Sequence, residues 1–163
     1  MLCLLASAAL LLGVVFAHPP HWSPSKPPCS PQVIALATGI HLNIQGQYAE
    51  YNGTINIQSI ESASPVDETA FYIAKGELLS DIQAGMNIRQ FNQEIAPAGN
   101  PVLPGLAKYE AAQATEQALA EGLMGMLSED QSALDSLKGD IMAGIKLNEM
   151  NLANVSRSKE GIK

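Results

Sequence analysis

Side chains able to hold a metal or move a proton near neutral pH are scarce in this chain. There are three histidines (His18, His21, His41) and two cysteines (Cys3, Cys29), against sixteen carboxylates. No Glu-x-x-His pair occurs, so the residues for a carboxylate-bridged two-metal centre between helices are missing. His18 would stand at the amino terminus after removal of residues 1–17, and an amino-terminal histidine with a second histidine can clasp copper. Pro20 occupies the third position, where the amino-terminal copper motif needs histidine, and oxidative copper catalysis is not expected. One remaining cysteine cannot build a thiolate site, and neither a Gly-x-Ser-x-Gly elbow nor a phosphate-cradling glycine loop is present. The carboxylates alternate with alanine and glutamine as on solvated helix faces, and no two stand out as an acid–base pair. The expectation is a protein that is not an enzyme, with no catalytic, cofactor-binding or metal-binding residues and no cofactor.

Other residues suggest covalent modification or contact. Asn52-Gly53-Thr54 and Asn154-Val155-Ser156 are N-glycosylation acceptors, at Asn52 and Asn154. Cys3 lies in the leading apolar segment, so its removal would leave Cys29 without a partner in its own chain. The proline-rich setting "SPSKPPCSP" then predicts an intermolecular disulfide, giving a disulfide-linked dimer, or a capped thiol. Gly39, Gly46 and Gly53 recur every seven residues. On a helix they would lie away from the apolar stripe, either as tolerated defects costing about 1 kcal/mol each or as a shallow surface groove.

The elements that must position these residues follow from punctuation and period. Residues 1–17, "MLCLLASAALLLGVVFA", are uncharged and end in Val-Phe-Ala, the anatomy of a signal peptide for secretion to the extracellular space or cell wall. No second apolar run long enough to span a membrane follows. Residues 18–31 hold six prolines, a disordered, polyproline-type tail carrying the only tryptophan, Trp22. Residues 32–155 are expected to form one domain, and 156–163 a disordered carboxyl-terminal tail. A net charge of −7 without a basic patch argues against nucleic acid and anionic membranes as partners.

Within 32–155, Ser30-Pro31, Ser64-Pro65 and Asn100-Pro101 each place a capping oxygen before a first-turn proline, and Ser128 with Gln131 makes a capping-box pattern. These starts predict helices over 32–62, 66–96, 102–127 and 129–155. The apolar spacing agrees: Phe71, Ala74, Leu78 and Ile82 in the second segment, Leu134, Leu137, Ile141 and Ile145 in the fourth. The third reads as a narrow stripe of Leu103, Ala107, Ala111, Ala114 and Ala118. The first has two readings. Val33, Ala37, Ile40, Ile44, Tyr48, Tyr51 and Ile55 fit one helical stripe, whereas alternation around Asn52-Gly53 fits a hairpin, and a break there stays open. Three capped helices want a fourth partner, which favours an all-α antiparallel four-helix bundle. The segment "APAGNPVLPG" between helices two and three reads as a corner, each proline and glycine having a backbone role.

The stretches "NIRQFNQEIAPAGNPVLPGLAKYEAAQATEQALAEGL" and "GIKLNEMNLANV" resemble a group of small secreted proteins of filamentous fungi, over residues 29 to about 155. That resemblance brings no biochemical activity and no catalytic residues. The general build is similar to the fungal hydrophobic-surface-binding and cell-wall galactomannoprotein family, which implies a secreted, helical glycoprotein. Members often end near a cysteine able to pair with one like Cys29; this chain ends "SRSKEGIK". The functional expectation is a secreted, non-catalytic interaction protein acting at the cell wall or on a host molecule. Its partners would be cell-wall polysaccharide, a hydrophobic surface or a host protein. The alternative is a carrier of a small apolar ligand between the helices, where facing alanines with Gly122 and Gly125 would leave a cavity.

Overall fold

A computed structural model describes residues 29–155, so the expectations for the signal peptide, the proline-rich tail before Cys29 and the carboxyl-terminal tail lie outside the described residues. The chain forms α1 (Pro31–Glu61), α2 (Glu68–Ile95), α3 (Leu103–Gly122) and α4 (Leu127–Val155), with no strand among the described residues. Short corners make successive helices antiparallel. In the ring they form, α1 lies beside α2 and α4, and α3 beside α2 and α4.

Helix starts follow the capping chemistry, with two shifts. Ser30 Oγ accepts from the Val33 N–H at 3.3 Å with Pro31 in the first turn, as expected. The second helix is not capped by Ser64. Asp67 takes that place, its carboxylate accepting from the Ala70 N–H at 3.0 Å. Asn100 Oδ1 accepts from the Val102 N–H at 3.0 Å and closes a single turn before α3. Ser128 is already inside α4. Asp130 instead turns its carboxylate back to accept from the N–H groups of Met124, Gly125 and Met126, at 2.7, 2.8 and 3.3 Å. A charged acceptor competes better than a hydroxyl for a cluster of orphan donors.

Residues 31–61 are one continuous helix, so neither the hairpin nor a break at Asn52-Gly53 occurs. The cause is visible in what is buried. Leu36, Ile40, Asn43, Gln47, Glu50, Thr54, Ile57 and Glu61 follow alternating steps of four and three, a seven-residue repeat that no strand could put on one face. The same repeat runs through Leu106, Tyr109, Gln113, Glu116 and Ala120 in α3, and through Leu134, Leu137, Ile141, Gly144, Asn148, Asn151 and Val155 in α4. Two expected stripes are therefore corrected. Tyr48 and Ile55 point outward, and Ala107, Ala111, Ala114 and Ala118 line the solvent side of α3. The seam follows the amides and carboxyls, not the most apolar reading of the sequence.

The core thus has apolar ends and a polar middle. Ile57, Phe71, Leu78, Leu134 and Leu137 fill the end near the α1–α2 and α3–α4 corners, and Leu36, Ile40, Val102, Leu106 and Val155 the other.

Candidate functional site

The polar middle is assembled from one or two seam turns of each helix. Asn43, Gln47 and Glu50 come from α1, Arg89 and Asn92 from α2, Tyr109, Gln113 and Glu116 from α3, and Asn148 and Asn151 from α4, all buried. Glycines make the room. An added methyl at Gly39 would strike the Asn92 amide, at Gly105 the Asn151 amide, and at Gly144 the Gln47 amide. At Gly85 it would meet Glu50 Oε1 at 3.0 Å, Gln113 Nε2 at 3.1 Å and Asn43 Oδ1 at 3.4 Å. Each helix contributes one glycine against which a neighbour lays a polar side chain.

Charge is distributed unevenly across this centre. Arg89 is buried, yet it donates to Gln113 Oε1 at 2.9 Å and Gln93 Oε1 at 2.7 Å and approaches Glu110 at 3.4 Å. The Glu50 and Glu116 carboxyls and the Tyr109 hydroxyl accept no hydrogen bond from protein donors. Burial, with the nearby charges of Glu116 and Asp81, pushes the Glu50 carboxyl up to about 8. Burial and Asp140 push Glu116 up to about 7. Burial, with Glu50 and Glu116, also raises the Tyr109 phenol. A second carboxyl pair stands at the far end. Glu61, the last residue of α1, is pushed up to about 7 by burial and by the Asp130 carboxylate beside it. These groups can store protons. No cluster of three or more His, Cys, Asp or Glu residues suited to a metal ion occurs among the described residues.

The outside is equally uneven. Across its 31 residues α1 has no lysine, arginine or aspartate, and its two glutamates, Glu50 and Glu61, are both buried. Ile34, His41, Tyr48 and Ile55 recur every seven residues along its outer side, with Ile34 53% and Tyr48 45% exposed. Beside this row, a groove of about 480 Å³ opens between α1 and α2, walled by Leu42, Ile88 and Phe91 with Gly39 at its floor. A smaller one of about 200 Å³ runs between α3 and α4, beside Lys108, Thr115, Asp140 and Leu147.

Of the residues singled out from sequence, Asn52 is exposed mid-way along α1, and Asn154 is half-buried next to the end of α4. The glycine row requires a correction. It does not lie uniformly away from the other helices: Gly39 is buried against Asn92 and Gly53 packs on Leu78, both of α2, while Gly46 has open space. The seven-residue spacing that seemed to set the row apart is the spacing of the helix seam itself. Cys29, the first described residue, is disulfide-bonded. Gly122 is exposed and Gly125, at φ +84°, abuts Phe71, so neither encloses a cavity. The polar centre was missed because glutamine, asparagine and glutamate read as surface residues. Their phase with Leu36 and Ile40 was the signal that could have found them. Compared with known proteins, the chain matches no family model, no curated protein and no solved structure.

Proposed function

We propose that the chain is a secreted, non-catalytic interaction protein that lays the outer side of α1 on an uncharged surface at the cell wall. The observation that supports this is the charge-free face of α1 in an otherwise acidic molecule. Fully charged faces keep their water, whereas isoleucine, leucine, tyrosine and amide side chains lose little on contact with an apolar or hydroxyl-rich neutral partner. The face is about 46 Å long at the helical rise, enough for an extended contact.

The test is retention of the secreted protein on chitin, on glucan and on octyl-grafted beads. Contact of this kind resists added salt, which distinguishes it from ion pairing. The double variant Tyr48→Glu with Ile55→Glu should lose about tenfold in affinity, roughly 1.4 kcal/mol. Ala111→Glu, on the exposed side of α3, should bind as the parent does. Equal retention of both variants would move the contact off α1, and retention on none of the three materials would point to a protein partner. A second reading, a carrier of a small apolar ligand, is supported by the α1–α2 groove, whose volume suits a small ligand. A bound mass in native mass spectrometry of material from the natural host would favour it.

A further inference from the structure

A helix of a soluble bundle ordinarily turns one side to the core and a charged side to water. α2, α3 and α4 do so, with Glu77 and Glu94, Glu110 and Glu121, and Asp135 and Glu149 exposed. α1 does not. Opposite its buried seam it carries an exposed row of Ile34, His41, Tyr48 and Ile55, interleaved with Thr38, Gln45 and Asn52. Each member stands two residues ahead of a buried one, as Ile34 does of Leu36 and Gln45 of Gln47, about 200° round the helix. One helix therefore has two seams of the same four-and-three step, and the bundle covers only one of them.

The chemistry of the row narrows what can cover it. A partner that keeps step along the whole helix must itself repeat every seven residues, as a second helix does. It must also bring no charge, since the row offers none to pair with and a lone covered charge is costly. Among the described helices α1 alone meets both terms. The row also matches itself. Turned end for end about an axis between Ile44 and Gln45, it brings Ile34 level with Ile55 of a second copy, and His41 level with Tyr48 of that copy. Apolar ends meet apolar ends, and flat rings meet in the middle. Net charge acts in the same direction: two chains of −7 repel wherever both show their acids, and α1 is the face that shows none. About 46 Å of helix, about 10 Å wide, offers roughly 900 Å² over two copies, the size of a weak, reversible contact.

We infer that the protein forms a reversible antiparallel dimer through the outer row of α1, the occupant of that face being a second copy of the same chain. The pairing stands without surface docking; only its effect on docking rests on that proposal. A face closed in the dimer is not free for the cell wall, so dilution supplies the single chain that docks. Asn52 lies within the row, and a glycan there would stand between the two copies.

Sedimentation of the secreted Asn52→Gln protein, which carries no glycan in the row, reads this directly. It should show twice the chain mass at about 100 μM and the single chain at about 1 μM, the range of small interfaces. Opposite charges then test the register in the same background. Ile34→Lys and Ile55→Glu, at positions 53% and 44% exposed, should each keep the parent's helix content by circular dichroism. Each should weaken self-association about tenfold, because a charge then faces isoleucine. Mixed in equal amounts, the two should pair about as tightly as the parent. One end of the mixed dimer joins the introduced ammonium to the introduced carboxylate, and the other joins unaltered isoleucines. Ala111→Glu, on the exposed side of α3, should leave the dimer intact. A single chain at every concentration would overturn the inference while leaving the docking of α1 at the cell wall untouched. A dimer that neither dilution nor the two variants weaken would be held elsewhere and would overturn it too. So would a mixture of folded variants that pairs no more tightly than its components, since the antiparallel register requires the rescue. Rescue in the mixture, with the protein retained on none of chitin, glucan and octyl beads, would uphold the dimer and remove the surface contact.

Discussion

Gly39 and Gly105 each stand where a neighbouring helix lays an amide on the backbone, whereas Gly46, Gly76 and Gly139 face open space in their helices. The same substitution must therefore act with opposite sign. Gly46→Ala, Gly76→Ala and Gly139→Ala should each stabilise the fold by up to about 1 kcal/mol, since alanine restricts the unfolded chain and meets nothing. Gly39→Ala and Gly105→Ala should destabilise it by about 1–3 kcal/mol, because a short, buried amide has to move. Denaturant unfolding of the five variants checks both halves. Glu50 carries a second prediction at this scale. Its carboxyl faces Glu116 on α3 and Asp81 on α2, and the buried Arg89 is turned to Gln113 and Gln93. Glu50→Gln keeps the shape and removes the ionisation, so the variant should be more stable than the parent at pH 9 and nearly equal to it at pH 4.

At the scale of the elements, the helix count, their order and most of their ends were legible in the sequence, because prolines and capping oxygens act locally. The phase of each helix was not. Burial of Asn43, Gln47 and Glu50 depends on what three other helices present, and no local preference of these residues favours it. The cap of α4 was missed for a related reason: Asp130 reaches backwards over four to six residues, outside the usual capping pattern. Asp130→Ala should cost about 2–3 kcal/mol, since three N–H groups lose a charged acceptor. Hydrogen exchange at Met124, Gly125 and Met126 should accelerate, with protection in the middle of α2 unchanged; no change at those amides would remove the assigned role. Asn52 adds a prediction for α1. A glycan there would stand on the outer face, so Asn52→Gln protein should be retained on neutral surfaces more strongly than glycosylated material.

For the whole molecule the sum of buried carboxyls sets how stability varies with pH. Glu50, Glu61 and Glu116 all have native pKa values raised from 4.5, to about 8, 7 and 7. Between those limits the native state holds protons that the unfolded chain has released, so stability falls as pH rises. It is fully present below about pH 4.5 and declines through pH 7 to 8. Thermal melts should show the midpoint falling across that window, opposite to a protein whose carboxylates are salt-bridged; a midpoint rising from pH 5 to pH 8 would contradict the burial of these groups. The bare face of α1 has its own consequence at this scale. With α1 set against a surface, the exposed charge of the described bundle is carried by the other three helices. A film of the protein would give a neutral particle a negative electrokinetic potential, so that coated particles drift to the anode and repel one another at low ionic strength.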